Sequence, residues 1–170
     1  GVTGSGKTEV YLELIKQVVQ SGKTAIMLVP EISLTPQMLS QLRSRFGKNA
    51  AILHSGLSAG ERFDEWWRLR SGEAKIAIGA RSAIFAPLEN LGVIIIDEEH
   101  DSSYKQTEPA PRYQAKDTAI MLAQIHNANI LLGSATPSFE SEYNCLLNRF
   151  ALVELTEKYY GAVPPKVEIV

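Results

Sequence analysis

The first eight residues, GVTGSGKT, carry the residue types and spacing of a phosphate-binding loop, G-x-x-x-x-G-K-[ST]. Glycines let a backbone turn tightly and direct its N–H groups into a concave nest for phosphate oxygens. In this pattern Lys7 contacts the β- and γ-phosphates of ATP, and the Thr8 hydroxyl is a ligand of Mg²⁺. The predicted nucleotide-binding residues are Gly4, Ser5, Gly6, Lys7 and Thr8.

A glycine-rich turn that matches this pattern by chance is the alternative interpretation. The segment TEVYLELIKQVVQSGK (8–23) argues against it, because its apolar residues recur at helical spacing and Gly22 marks a helix end. A helix directly after the loop would add free N–H groups and a favourable dipole for phosphate. The sequence therefore favours a nucleotide site.

The segment VIIIDEEH (93–100) ends a predicted buried strand with acidic residues. Ligands of open α/β sheets bind at the carboxyl ends of the strands. We predict that Asp97 binds Mg²⁺ and that Glu98 orients and deprotonates the attacking water, so that the catalytic set is Glu98, Asp97 and Lys7. A solvated acidic turn is the alternative for this segment alone. His100 is either a surface histidine or a relay that senses the γ-phosphate, and we favour the relay.

A third segment, LLGSATPS (131–138), runs from a predicted strand into small hydroxylated residues. Its plain structural interpretation is a strand end followed by a helix that begins after Ser138. The functional interpretation, compatible with the first, is that Ser134 and Thr136 hydrogen-bond to the acidic cluster and report its state. We therefore group Ser134, Thr136 and His100 as predicted coupling residues.

Short apolar runs alternate with helical patterns along the chain, and that alternation predicts an α/β fold with a mainly parallel sheet and helices on both faces. The predicted strands, buried on both faces, are 24–30, 50–54, 75–79, 93–97 and 129–134. The further helices are predicted near 35–46, 58–71, 115–127 and 138–148.

Composition sets bounds on the class of protein. The 170 residues suit about one domain. The net charge of −2 gives no basic footprint for nucleic acid, so such a role must rest on local features. The single cysteine, Cys145, excludes an internal disulfide and a cysteine zinc cluster. No apolar run reaches the roughly 18 residues of a membrane span, and a cytoplasmic location is expected.

The three motifs in this order resemble motifs I, II and III of superfamily 2 helicases. The segments LVPEISLTPQM, LHSGLSAGER and above all 79–117 resemble the PriA family (primosomal protein N-prime) of bacterial replication-restart helicases. The resemblance implies a RecA-like first motor lobe over residues 1–155 and the start of a linker at 156–170. It also implies an ATP-dependent 3′-to-5′ DNA helicase that uses Mg²⁺ and acts in primosome assembly at stalled forks. The segment PEIS (30–33) lacks the arginine that many superfamily 2 proteins carry there.

The same resemblance implies partners and missing parts. The expected partners are single-stranded and forked DNA, primosome proteins and single-strand-binding protein. The protein itself is expected to be a monomer. Zinc is expected only in the C-terminal part that the proteins of this family carry. In the family a strand precedes the phosphate loop, near the middle of the sheet and beside the strand that ends at Asp97. We therefore expect a fragment that begins inside motif I, with a buried gap of unpaired backbone groups beside that strand and a frayed phosphate loop. Without the second lobe and its arginine finger, the isolated fragment is expected to be inactive.

The segment 101–117 resembles the aromatic-rich loop of this family, which couples stacking on single-stranded bases to ATP hydrolysis. On that resemblance we predict DNA contacts by Tyr104, Lys105 and Tyr113; from the residues alone, a plain solvated loop is the alternative. For Arg81, contact with DNA phosphate and bracing of the acidic motif remain equally open.

Three aromatic residues recur at helical spacing within 58–71: Phe63, Trp66 and Trp67. For these, core packing is favoured over base stacking.

Two other functions remain as alternatives. One is a superfamily 2 DNA translocase of another family. The other is a P-loop ATPase or kinase with no nucleic-acid role, which would need neither the GSATPS segment nor the loop 101–117. A non-enzymatic ATP-binding module is a further possibility for the isolated chain.

Overall fold

The computed structural model describes residues 6–155. The segments 1–5 and 156–170, with Gly4, Ser5, the predicted fraying of the loop and the predicted linker, lie outside the described residues.

Within residues 6–155, five parallel strands form the central sheet in the order β2-β3-β1-β4-β7. They are β1 (Thr24–Leu28), β2 (Ala50–Leu53), β3 (Ile76–Gly79), β4 (Leu91–Ile96) and β7 (Asn129–Leu132). A short antiparallel hairpin of β5 (Lys105–Gln106) and β6 (Tyr113–Gln114) lies between β4 and β7 in the chain. The predicted parallel α/β fold and its five strands are confirmed.

The described part of the chain has five α-helices beside the sheet, and polar side chains define where several of them begin. They are α1 (Lys7–Gln20), α2 (Pro36–Phe46), α3 (Ala59–Arg70), α4 (Ala115–His126) and α5 (Phe139–Leu146). Ser58 and Glu61 form a reciprocal capping box at α3, in which each side chain satisfies a free backbone N–H of the first turn. Ser138 caps α5 by accepting from the Ser141 N–H, as the sequence predicts.

Apolar side chains pack on both faces of the sheet. Alternation along β1 sends Ile26 and Leu28 to one face, which α3 and α4 cover, and Ala25 and Met27 to the other, which α1 and α2 cover. The strand β4 is fully buried along its length. This two-sided covering explains why the strands read as continuous apolar runs.

The expected gap beside the strand that ends at Asp97 is not present. β4 pairs with β1 along one edge and with β7 along the other. The open edges of the described sheet are those of β2 and β7 instead. The prediction that β7 is buried on both faces was wrong as well, since its residues are half-buried or exposed at this edge.

The aromatic residues of α3 do not pack in the core. Phe63, Trp66 and Trp67 are 61%, 40% and 57% exposed, and the Phe63 and Trp67 rings stack with 6.4 Å between centroids. The helix instead buries Leu69, and its Glu65 accepts a hydrogen bond from the Ile52 N–H on the β2 edge. The predicted core packing of these three residues is therefore corrected.

Within residues 6–155, no helix is long and apolar enough to cross a membrane.

Candidate functional site

The acidic segment forms a turn at the carboxyl end of β4, held from both neighbouring strands. The Asp97 N–H donates to the Leu28 carbonyl at the end of β1 (2.9 Å), and the Glu99 N–H donates to the Gly133 carbonyl after β7 (3.0 Å). Between them Glu98 has φ 46°, a left-handed conformation that is costly for a residue with a side chain. The turn thus presents Glu98 in a conformation that its surroundings must maintain.

Lys7 and Glu98 meet directly. The Lys7 ammonium donates to Glu98 Oε1 at 3.1 Å, joining the first residue of α1 to the acidic turn across 91 residues of sequence. The pair is partly exposed, with the Lys7 side chain 14% and the Glu98 side chain 34% exposed. Gly6 precedes the helix with φ 82°, a conformation that suits glycine. Two of the predicted catalytic residues therefore lie in contact.

The third predicted catalytic residue, Asp97, bonds to a side chain that the sequence interpretation missed. The Tyr11 hydroxyl donates to Asp97 Oδ1 at 3.1 Å. Burial, and then the charge of Glu98, raise the pKa of the Asp97 carboxyl; burial and the charge of Asp97 raise that of the Tyr11 hydroxyl. Tyr11 follows Lys7 by four residues and so lies on the same helix face, a signal that could have identified it.

The residues predicted to hold Mg²⁺ have suitable chemistry. Thr8 lies in the first turn of α1 and Asp97 at the end of β4, and hydroxyl and carboxylate oxygens are ligands that Mg²⁺ accepts. Among residues 6–155 there is no group of three or more His, Cys, Asp or Glu arranged to hold a metal. Mg²⁺ commonly takes only one or two protein ligands and completes its shell with water and substrate phosphates, so this donor set fits.

His100 contacts the segment after β7. Its Nδ1 lies 2.8 Å from Ser134 Oγ and 3.7 Å from Glu98 Oε2. Ser134 Oγ also accepts from the Thr136 backbone N–H at 2.9 Å. The three predicted coupling residues thus form a chain that reaches Glu98, although Thr136 takes part through its backbone and not its hydroxyl. Their role in coupling stays a prediction.

Tyr104 does not lie on the surface. Its side chain is fully buried, and its hydroxyl donates to the Asp97 carbonyl oxygen at 2.6 Å. Burial raises the pKa of this hydroxyl, with the charge of Asp97 the next cause. A ring in this position cannot stack on a base, so the predicted DNA contact of Tyr104 is corrected: Tyr104 connects the loop to the acidic turn.

Arg81 braces the loop 101–114, which is the part of the segment 101–117 that precedes α4. One guanidinium nitrogen donates to the carbonyl oxygens of Ser103 (2.9 Å) and Lys105 (3.0 Å), and the guanidinium lies 5.8 Å from the centre of the Tyr113 ring. The Tyr113 ring meets Phe85 edge to face at 5.0 Å. Arg81 therefore braces the loop after the acidic motif rather than the motif itself, and its contact with DNA phosphate stays a prediction. Lys105 is exposed and Tyr113 is half-buried, so both remain accessible.

Comparison with known proteins agrees with these motifs. The DEAD/DEAH box helicase family model matches residues 1–144. The replication restart protein PriA of Bacillus subtilis is 54% identical over 170 residues, which are 100% of this chain and 21% of that protein. PriA of Treponema pallidum is 49% identical, over 100% of this chain and 26% of that protein. The chain thus spans about a fifth to a quarter of the length of these relatives.

Solved structures share the fold. A structure of RecG bound to a three-way DNA junction has a TM-score of 0.58 and 23% identity, covering 87% of this chain and 19% of that one. The Pyrococcus furiosus Hef helicase domain has a TM-score of 0.54 and 20% identity, covering 86% and 31%. At these identities the likeness concerns the fold alone, which is RecA-like.

Proposed function

Because the chain belongs to the DEAD/DEAH box helicase family, we propose that residues 1–155 are the first motor lobe of an ATP-dependent 3′-to-5′ DNA helicase. We propose further that the helicase acts in the restart of stalled replication forks, as the name of its PriA relatives suggests. The observation that carries the proposal is the convergence of Lys7 of α1 with Asp97 and Glu98, which follow β4, at the carboxyl ends of the parallel strands. Residues 156–170 would begin the linker toward a second lobe.

The Lys7–Glu98 ion pair supports a simple order of events. A γ-phosphate that approaches Lys7 competes with Glu98 for the ammonium, because a phosphate carries more charge than a carboxylate. Glu98, released from Lys7, is then free to orient a water for in-line attack and to accept its proton. Each group thus has one partner before ATP binds and another afterwards.

Thr8 and Asp97 would hold Mg²⁺ beside the phosphates. When bound, the metal neutralises charge on the phosphate oxygens. Tyr11 keeps the Asp97 carboxylate oriented by donating to Oδ1, and the Glu98 backbone N–H donates to the same oxygen at 3.1 Å. These two donors orient Asp97 from the protein side.

The loop 101–114 offers a connection to DNA. We propose that Tyr113 and Lys105 contact single-stranded DNA, with base stacking on Tyr113 and a phosphate contact from Lys105. Arg81 touches both the Tyr113 ring and the loop backbone, and Tyr104 ties the loop to the Asp97 carbonyl. A DNA strand that moves Tyr113 would therefore also move the groups that are bonded to the acidic turn. We propose that His100, Ser134 and Thr136 sense this movement of the turn.

The proposal for the full-length protein is broader. The full-length protein would act on forked DNA, together with primosome proteins and single-strand-binding protein. It would be a cytoplasmic monomer, and its zinc site would lie in a C-terminal part. An isolated first lobe would not unwind DNA, since the arginine finger of a second lobe contributes about a thousandfold or more in related phosphoryl transfer.

The test uses the full-length protein, with ATPase measured with and without single-stranded DNA and unwinding measured on duplexes with a 3′ or a 5′ tail. We expect single-stranded DNA to stimulate the ATPase. A 3′-to-5′ helicase should unwind the duplex with the 3′ tail and not the duplex with the 5′ tail. Lys7→Ala should abolish turnover, and Glu98→Gln should lower it about a hundredfold or more while ATP still binds. Lys16→Ala is the control, because Lys16 is an exposed lysine of the same helix. An ATPase rate that is the same with and without single-stranded DNA would instead indicate a P-loop ATPase or kinase with no nucleic-acid role.

A further inference from the structure

A buried charged cluster lies behind the acidic turn. The Lys116 ammonium donates to Glu99 Oε2 (3.1 Å), Ser138 Oγ (3.3 Å) and Glu140 Oε2 (3.2 Å). The side chains of Lys116 and Glu99 are 8% and 1% exposed, whereas that of Glu140 is 67% exposed. Lys116 and Glu99 are therefore a buried ion pair with one exposed companion.

Hydrogen bonds satisfy this pair. Glu99 also accepts from the Ser138 backbone N–H (2.7 Å) and hydroxyl (3.1 Å). Burial acts to raise the pKa of the Glu99 carboxyl, but the bonds from Ser138 and Lys116 outweigh it and hold that pKa below its ordinary value. Burial acts to lower the pKa of the Lys116 ammonium, but its bonds to Glu99 and Glu140 hold it above the ordinary value. Both members of the pair stay charged at neutral pH.

The cluster joins three segments that bear on the site. Glu99 belongs to the acidic turn, Lys116 is the second residue of α4, which follows the β5–β6 hairpin directly, and Ser138, the last residue of the GSATPS segment, caps α5. The Lys116 side chain thus connects the end of the loop 101–114 with the acidic turn and with the GSATPS segment.

The conformation of Glu98 depends on this anchor. Its left-handed φ of 46° is unfavourable and persists only where neighbouring contacts fix it. On its C-terminal side the Glu98 carbonyl accepts from the Asp101 N–H (2.8 Å). The other contacts there belong to Glu99, whose N–H is bonded to the Gly133 carbonyl and whose carboxylate is bonded to Lys116 and Ser138. Loss of the carboxylate contacts would free the turn to relax and would rotate the Glu98 side chain.

We propose that Lys116 is a positioning residue for ATP hydrolysis: by anchoring Glu99 it holds Glu98 in its active orientation and links that orientation to the loop 101–114. This inference rests on the proposed function. Because Lys116 is buried and acts through Glu99, its loss should lower kcat and leave the KM for ATP nearly unchanged.

The experiment compares Lys116→Met, Lys116→Arg and the control Lys16→Met in the full-length protein, measuring kcat and KM for ATP at saturating single-stranded DNA. A misplacement of about 1 Å can cost about a hundredfold in rate, so Lys116→Met should lower kcat by about ten- to a hundredfold with KM within about twofold. Lys116→Arg keeps the cation and should recover most of kcat. Lys16→Met should match the parent.

A second variant separates positioning from stability. Lys116→Met alone leaves Glu99 as a buried unpaired charge and lowers the melting temperature, whereas Lys116→Met with Glu99→Gln removes both charges. The double variant should regain much of the melting temperature but keep a low kcat.

Three results would overturn the inference: a folded Lys116→Met protein with the parent kcat, a Lys116→Arg protein as slow as Lys116→Met, or a double variant that regains kcat together with its melting temperature. If single-stranded DNA does not stimulate the ATPase of the unsubstituted protein, the proposed function is contradicted, and the inference that rests on it is contradicted as well.

Discussion

Tyr11 and Gly133 share one space at the edge of the site. A side-chain carbon built on Gly133 would collide with the Tyr11 hydroxyl and with the ring carbon that bears it. The same hydroxyl donates to Asp97, while Gly133 bonds through its backbone to Ile96 and Glu99 on either side of the acidic turn. Glycine at 133 is therefore what lets Tyr11 of α1 reach Asp97 across the end of β7.

Gly133→Ala should destabilise the protein by about 1–3 kcal/mol, the usual cost of overpacking a filled site. It should also weaken Mg²⁺-dependent ATP binding, because Tyr11 or the β7 end must move away from Asp97. Urea unfolding and ATP titration at several Mg²⁺ concentrations measure the two effects.

Tyr11→Ala provides the matched background for that test. With the ring removed, the added methyl group has room, so the double variant should be more stable than the sum of the two single effects predicts. Additive effects would show that the clash is relieved elsewhere and that Tyr11 does not depend on Gly133.

The sequence predicted the elements well but not their neighbours in the sheet. Continuous apolar runs such as 93–97 identify strands buried on both faces, because local composition reports burial. Sheet order depends on pairing between residues far apart in the chain, and no local pattern reports it. The expected gap beside β4 was wrong for this reason: β7 pairs with that edge.

Side-chain direction was the other limit. The spacing of Phe63, Trp66 and Trp67 identifies one face of a helix, but it does not tell which face meets the sheet, and α3 turns Leu69 inward instead. The tyrosines 104 and 113 look alike in the loop sequence, yet one is buried beneath the acidic turn and the other is half-buried. The meeting of Lys7 with the acidic turn, in contrast, could be expected from the sequence, because the spacing of these motifs is tied to phosphate chemistry; the roles of these residues stay predictions.

Glu98→Gln should leave ATP affinity equal or somewhat higher. Glutamine keeps the shape of the side chain but removes the charge that holds Lys7, so the ammonium is free for phosphate. A partly exposed ion pair contributes about 0.2–1 kcal/mol, which corresponds to about a 1.4- to 5-fold gain in affinity. Titration with a slowly hydrolysed ATP analogue measures it. A marked loss of affinity would mean that Glu98 is itself a ligand of the nucleotide or its metal.

Glu99 should make stability sensitive to acid. Its pKa is lowered in the folded protein, so its contribution is fully present above the ordinary glutamate pKa of about 4.3 and is lost as the pH falls through the lower folded value. Glu99→Gln should therefore be less stable than the parent at pH 7, and the difference should narrow below about pH 4. Unfolding midpoints across this range test it, and a difference independent of pH would contradict it.

Asp97 should show the opposite sign. Its pKa is raised by burial and by the Glu98 charge, so the charged carboxylate costs stability above that raised pKa and the cost disappears on acidification. Asp97→Asn keeps an acceptor oxygen for Tyr11 and for the Glu98 N–H. We expect a higher melting temperature than the parent at pH 7, with ATPase activity lost. A lower melting temperature would show that the carboxylate is stabilising in the folded protein.

Tyr104 and Tyr113 should differ sharply, although both belong to the same loop. Tyr104→Ala empties a fully buried site and should cost about 3–5 kcal/mol, whereas Tyr104→Phe removes only the bond to the Asp97 carbonyl, worth about 1 kcal/mol. Tyr113→Ala loses an edge contact with Phe85 worth about 0.5–1.5 kcal/mol and should leave a folded protein.

If Tyr113 stacks on a base, at about 1–3 kcal/mol, the Tyr113→Ala variant keeps its DNA-free ATPase and loses much of the DNA-stimulated increment. The ATPase rate against single-stranded DNA concentration measures this, with Tyr143→Ala, an exposed tyrosine of α5, as the control. Equal stimulation in the Tyr113→Ala and control proteins would remove Tyr113 from the DNA contact and leave the loop as a brace for the acidic turn.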